Sequence, residues 1–145
     1  MSLRRKLSGS FELALTAERA FPLFTALGEK EWVPGWDPDM VFPASGELER
    51  DQVFLTGDGD ERTFWYVSNV DREARSVDYI RNTPTSRVAR VHVEVEGTGD
   101  GCRVHVTYVW TALSAAGEKM IEEAAASYDS MMEEWKRLVE VRFPA

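Results

Sequence analysis

The sequence predicts an α+β fold in which a seven-stranded antiparallel sheet curves around one long C-terminal helix. Residues 87–96 and 102–111 alternate apolar and polar positions on either side of a glycine-rich turn, as β-strands do. Residues 114–141 then follow the period of an amphipathic helix. At about 1.5 Å per residue such a helix is roughly 40 Å long and crosses the whole sheet. We therefore expect a cavity between the sheet and the helix.

The N-terminal region predicts one strand and two short helices. Residues 7–15 alternate, and Thr16 then offers its hydroxyl as the N-cap of a helix over residues 17–27. Gly28 is suited to the C-cap of that helix. Residues 29–38 contain two prolines and a glycine, so they hold at most a short helical turn.

The remaining strands are predicted as a meander. Each is separated from the next by a few turn-type residues, and short connections join antiparallel neighbours because a parallel crossover needs a dozen residues or more. No repeat or linker divides the chain, so we expect one domain over residues 1–145, with residues 1–6 as a disordered tail. The predicted strands after the short helices are residues 40–43, 52–56, 62–69, 76–83, 87–96 and 102–111.

The last hairpin has a predicted register. With its turn centred on residues 99 and 100, Glu96 faces Arg103 and Glu94 faces His105 across the ladder, which pairs opposite charges on the outer side. The apolar residues of both strands then share the inner face. These inward positions are Ala89, Val91, Val93, Val95, Cys102, Val104, Val106, Tyr108 and Trp110.

The final helix is predicted to be continuous from about residue 116 to residue 140. Ser114 is its N-cap, and Trp135 lies on its apolar stripe, which places Trp135 against the sheet. The run 124–126 consists of three alanines. Small side chains there would leave space for a ligand, although high helix propensity explains the run as well.

Composition excludes several classes of function. The net charge of −8 and the pI near 4.8 are opposite to those of a nucleic-acid binder, and an anionic membrane would repel the chain. One cysteine and two histidines support neither a disulfide nor a zinc cluster. A solvated sheet face explains His92, His105 and Glu94 better than a metal site does. We expect a cytoplasmic protein without cofactor or metal.

Two segments carry a family resemblance. Residues 28–47 (GEKEWVPGWDPDMVFPASGE) and residues 106–123 (VTYVWTALSAAGEKMIEE) resemble the corresponding segments of small bacterial polyketide cyclase/dehydrase-like proteins, within the START/Bet v 1-like (SRPBCC) helix-grip superfamily. The resemblance implies a seven-stranded sheet that grips the C-terminal helix, with a pocket opening near the two short helices. On that arrangement Trp32 and Trp36 lie near the mouth. No catalytic residue is implied.

The leading functional hypothesis is a carrier or sensor, monomeric or homodimeric, that binds a small hydrophobic or aromatic ligand. The alternatives are a polyketide cyclase/dehydratase-like enzyme, in which a Tyr or Arg stabilises an enolate, and a protein-interaction module of the chaperone-activator type. Arg81 is a candidate partner for a ligand carboxylate or enolate, but the sequence leaves open which face of the fifth strand points inward. The expected ligand-binding residues are Trp32, Trp36, Trp65, Tyr79, Tyr108, Trp110, Tyr128 and Met132.

Overall fold

The structure, a computed structural model, describes residues 3–144. These residues form seven strands and two α-helices, with short 3-10 turns at Phe21–Phe24, Gly28–Glu31 and Gly59–Glu61. The strands and helices are, in order, β1 (Arg4–Leu13), α1 (Ala17–Ala20), β2 (Asp39–Phe42), β3 (Val53–Thr56), β4 (Thr63–Asp71), β5 (Ser76–Thr83), β6 (Arg87–Gly97), β7 (Cys102–Ala112) and α2 (Ala115–Arg142).

All seven strands form one antiparallel sheet, which confirms the predicted fold class. Its order is β1-β7-β6-β5-β4-β3-β2, so β1 and β2 are the edges of the sheet. Helix α2 packs mainly on β1 and also contacts β7 and β6. This position covers one half of the inner face, and the short helical turns after β1 cover part of the rest. No helix within residues 3–144 is long and apolar enough to cross a membrane.

Strand β1 begins earlier than the sequence predicts. Arg4, Arg5 and Lys6 pair with Thr111, Trp110 and Val109 of β7 and therefore belong to the sheet, not to a disordered tail. Their side chains are exposed, so no alternation of apolar residues marks them. Backbone pairing to the long β7 extends the strand instead. The first two residues of the expected tail lie outside the described part of the chain.

The first predicted helix is broken into shorter pieces. Helix α1 ends at Ala20 and continues as the 3-10 turn Phe21–Phe24, with Pro22 near the start of that turn. Proline lacks the N–H that an α-helix would need at this position, so the helix does not continue. Gly28 begins the next 3-10 turn and lies so close to the first that an added Cβ would come within 1.8 Å of the Pro22 carbonyl oxygen.

The last hairpin confirms the predicted register. Glu94 faces His105 and Glu96 faces Arg103, and the inward set of both strands is buried. The charged side chains do not pair directly across the hairpin, however. His105 contacts the diagonal Glu96 at 3.1 Å, and Arg103 contacts Glu12 of the neighbouring strand β1 at 2.8 Å. Within the described residues, His, Cys, Asp and Glu side chains form no group of three or more suited to a metal ion.

Helix α2 is a single unbroken helix, as predicted, and close contacts fix it at two points. Ser114 accepts a hydrogen bond from the Gly117 amide at 3.2 Å, and Gly117 lies against the backbone of Ser86 in the β5–β6 turn. Further along, a Cβ on Gly9 of β1 would lie 3.0 Å from the Met132 side chain. The glycines therefore let the helix approach the sheet at both places.

Candidate ligand-binding cavity

A cavity of about 290 Å³ lies between α2 and the strands β5, β6 and β7. The strands provide two arginines and two aromatic side chains, and the helix provides its small and flexible side chains. The cavity is therefore apolar over much of its wall, with cationic groups at one side. Its lining residues are Arg81, Arg87, Tyr108, Trp110, Met120, Glu123, Ala124, Ser127, Tyr128 and Met131.

Arg81 enters the cavity because of the pleat of β5. Val77 and Tyr79 are buried on the inner face, and Arg81 follows them at the strand period of two, whereas Ile80 is exposed. The structure thus decides which face of this strand points inward. The guanidinium carbon of Arg81 lies 4.9 Å from the ring centre of Trp65 and 5.2 Å from that of Trp110.

Arg81 lacks a direct carboxylate partner among residues 3–144, although the nearby charge of Glu61 acts on it. Its Nε atom is buried without a hydrogen-bond partner, and no carboxylate of residues 3–144 forms an ion pair with it. Burial lowers the pKa of Arg81, but an arginine begins so high that it stays charged near neutral pH. The neighbouring Arg87 differs, because Glu61 pairs with it at 2.8 Å.

Two tyrosines shape a further part of the wall. Tyr108 stacks on Trp110 with ring centres 5.5 Å apart, and the edge of Tyr128 meets Tyr108 at 6.0 Å. The Tyr128 hydroxyl donates to the Val106 carbonyl at 2.6 Å, whereas the Tyr108 hydroxyl bonds to no atom of the described residues. Burial raises the pKa of Tyr108 to about 12, so it remains a hydrogen-bond donor at neutral pH.

Glu29 places a carboxyl group near Tyr79 and Tyr108. Glu29 lies half-buried on the 3-10 turn Gly28–Glu31, and the loss of water around its carboxyl raises its pKa from the ordinary 4.5 to about 8. Among residues 3–144 no cation forms an ion pair with it. Burial raises the pKa of Tyr79, and the charge of Glu29 raises it further. The charge of Glu29 also raises the pKa of Tyr108. The carboxyl is therefore mostly protonated at pH 7. No periodicity marks the segment around Glu29, so the sequence pattern does not single this residue out.

The expected ligand-binding residues divide into two main groups. Tyr108, Trp110 and Tyr128 line the cavity together. Trp65 borders it through its contact with Arg81 and belongs to an aromatic cluster whose rings lie 5.5–6.3 Å apart. Within that cluster the indole N–H of Trp36 donates to the Ala26 carbonyl at 2.8 Å. The four members of the cluster are Trp36, Phe54, Trp65 and Tyr79.

Trp32 and Met132 lie away from this cavity, unlike the expectation. Trp32 is buried between Phe24 at 5.5 Å and Trp135 at 5.7 Å, and its indole N–H donates to a backbone carbonyl. Met132 faces Gly9 on the β1 side. The indoles of Trp32 and Trp36 both bond to backbone carbonyls and pack among other rings, and neither lines this cavity. Trp135, which the sequence predicts to be buried against the sheet, is half-buried, and its ring contacts Phe24 and Trp32 beside the short turns.

A second surface feature lies on the outer face of the sheet. Phe42, Val53, Tyr66 and Ile80 stand in register across β2, β3, β4 and β5, and three of them are exposed by 39% or more. Phe64 is exposed beside them. This apolar line is the kind of surface that an interaction module would need.

The arrangement of sheet and helix is shared with solved structures. Norcoclaurine synthase from Thalictrum flavum matches with a TM-score of 0.68 and 13% identity, over 95% of this chain and 87% of that one. Ara h 8.0201 matches with a TM-score of 0.67 and 11% identity, over 94% and 98% of the two chains. This chain has the Bet v 1-like helix-grip fold. A Rhizobium leguminosarum protein with the same arrangement matches at 0.67 and 12% identity, covering 94% and 97%. No family model matches the sequence, and no curated protein matches it.

Proposed function

We propose that this helix-grip protein binds a small hydrophobic or aromatic molecule in the cavity between its sheet and α2, as a carrier or sensor. The main support for the proposal is the composition of the cavity wall. Tyr108, Trp110 and Tyr128 present aromatic surface there, and Met120 and Met131 present flexible apolar surface. Aromatic and methionine side chains favour flat apolar ligands, and polar groups at one side fix their orientation.

A structural neighbour supports a ligand of this class. Norcoclaurine synthase from Thalictrum flavum has been solved in complex with dopamine and hydroxybenzaldehyde, and that chain aligns with 99% of this one at a TM-score of 0.68. The fold therefore accommodates small aromatic molecules in one protein. For this chain the same class of ligand agrees with the size and lining of the cavity.

Filling the cavity tests the proposal. Ala124 lies on the cavity wall, and the exposed Ala126 lies about 200° around the helix from it, so Ala124→Phe and Ala126→Phe form a matched pair. Flavonoids, fatty acids and aromatic polyketides are screened by calorimetry and by the shift in melting temperature. We expect binding to the parent protein and to Ala126→Phe, and at least tenfold weaker binding to Ala124→Phe. If no compound binds, the interaction module with its outer apolar line replaces this proposal.

An enzyme of the polyketide cyclase/dehydratase kind is the second candidate, and Glu29 is the observation that favours it. A carboxyl group with a pKa of about 8 exchanges its proton near neutral pH, as a general acid or base must. Tyr108 and Arg81 are donors suited to an enolate oxygen. Glu29 is not among the residues that line the cavity, so in such a reaction a water carries the proton from the C–H bond beside a carbonyl to the Glu29 carboxylate, and the electron pair of that bond moves to the carbonyl oxygen.

Isotope exchange separates the enzyme from the carrier. A small aromatic β-diketone such as 1-phenylbutane-1,3-dione is incubated in D2O, and deuterium incorporation at the carbon between its carbonyls is followed by NMR. An enzyme accelerates the exchange, with a rate that rises with pH through about 8 and falls at least tenfold in Glu29→Gln. A carrier binds the compound and leaves the exchange rate at that of buffer. Glu31→Gln, on the same turn but exposed, is the control.

A further inference from the structure

A purely apolar ligand would form no ion pair with Arg81. The guanidinium lies in the cavity wall, its Nε atom is buried without a partner, and no carboxylate of the described residues pairs with it. Arg81 as a whole is half-buried, and a partly desolvated charge without a direct partner is unfavourable in a folded protein. Such a group persists where a ligand supplies the missing counter-charge.

Two tryptophans hold this charge in place. The indoles of Trp65 and Trp110 lie 4.9 Å and 5.2 Å from the guanidinium carbon, within the range of cation–π attraction. They come from β4 and β7, so the guanidinium is held from two separate strands. Its N–H donors are consequently positioned before any ligand arrives, and preorganised donors bind an anion at lower cost.

Arg81 is the cation of the cavity lining that has no direct carboxylate partner among the described residues. Arg87 is already neutralised by Glu61 at 2.8 Å, and Glu123 also lines the cavity. Arg81 is therefore the cation that remains to be balanced. The protein as a whole carries a net charge of −8, which opposes the approach of a multiply charged phosphate.

We infer that the ligand is a small aromatic carboxylate, whose carboxylate binds the guanidinium of Arg81 and whose ring lies against Tyr108 and Trp110. Guanidinium and carboxylate match in geometry and form two parallel N–H···O bonds. The Tyr108 hydroxyl, which bonds to no other described residue, is a further donor to the same anion. This inference rests on the proposed function, since it names the class of ligand for the same cavity.

Matched acids and amides test the inference. Benzoate, cinnamate and naphthalene-2-carboxylate are each compared with their primary amides by calorimetry at pH 7 and low salt. The two members of a pair have nearly the same shape and differ by one charge. We expect each acid that binds to do so at least tenfold more tightly than its amide. Arg81→Gln should remove that preference, and Arg90→Gln, an exposed arginine on β6, should preserve it.

The outcomes distinguish the two proposals. If acids and amides bind the parent protein equally, the ligand is not recognised by its charge and the inference is overturned, whereas cavity binding stands. If only the amides bind, the inference is likewise overturned and cavity binding stands. If neither member of any pair binds and the apolar panel also fails, both proposals are overturned. The comparison on the parent protein is decisive even if Arg81→Gln does not fold, which circular dichroism reveals.

Discussion

The Tyr128 hydroxyl donates a hydrogen bond of 2.6 Å to the backbone carbonyl of Val106 and so joins the middle of α2 to the middle of β7. Both residues are buried. Tyr128→Phe keeps the ring and removes this bond, so we expect it to lower the free energy of unfolding by about 1 kcal/mol, measured by urea denaturation. Tyr66→Phe removes a hydrogen bond to Asp51 on the exposed face, and we expect the free energy of unfolding to change by no more than about 0.5 kcal/mol. Equal losses of stability in the two variants would mean that the buried hydrogen bond contributes no more than the exposed one.

Gly117→Ala should destabilise the protein, although alanine is the better helix former. In an exposed helix the substitution would stabilise by about 1 kcal/mol. Here the new Cβ would lie 1.8 Å from the Ser86 carbonyl oxygen, and backbone must move to admit it. We expect a net loss of about 1–3 kcal/mol in urea unfolding. Gly99→Ala, whose Cβ would meet nothing within 4 Å, is the control. A stabilised Gly117→Ala would show that α2 does not press on the β5–β6 turn.

Glu29 should make stability fall as pH rises. Its pKa is about 8 in the folded protein against an ordinary 4.5, so between these values the folded state holds a proton that the unfolded state has released. The free energy of unfolding then decreases with pH across that window, by at most about 1.4 kcal/mol per pH unit. Urea unfolding of Glu29→Gln between pH 5 and pH 9 should lack this decrease. The exposed Glu133→Gln should retain it, and identical profiles for all three proteins would contradict the burial of Glu29.

Trp135→Ala should weaken the contact between α2 and the short helical turns. Its ring meets Trp32 edge-on at 5.7 Å and Phe24 at 6.4 Å. Because Trp135 is half-buried, we expect a loss of about 3 kcal/mol, at the lower end of the range for a core tryptophan. Thermal unfolding measures it, and the fluorescence of the remaining buried Trp32 should shift to longer wavelength. An unchanged melting temperature would place Trp135 outside the core.

Local patterns in the sequence predict much of the fold. The alternation in residues 87–96 and 102–111 predicted both inward faces and the Glu94–His105 register, because a strand's side-chain period and a short turn leave few other pairings. The extent of α2 followed from its apolar stripe and from Ser114. These features depend on neighbours in the sequence, and tertiary contacts agree with them.

Tertiary structure alone decided the composition of the cavity wall. Tyr108, Trp110 and Tyr128 were expected there, but an aromatic residue on an inward face serves equally as packing, as Trp32 does. What separates the two roles is the set of side chains that other elements bring nearby, and no local pattern encodes that set.

The two charged groups show the same limit of the sequence most clearly. Arg81 lies in a strand whose inward face was ambiguous, and Glu29 lies in a segment without periodicity. A guanidinium without a carboxylate partner in the described chain, and a carboxyl with a pKa of about 8, arise from long-range burial by β4, β7 and the short turns. Burial and the absence of a counter-charge depend on packing of distant residues, which composition and period do not specify.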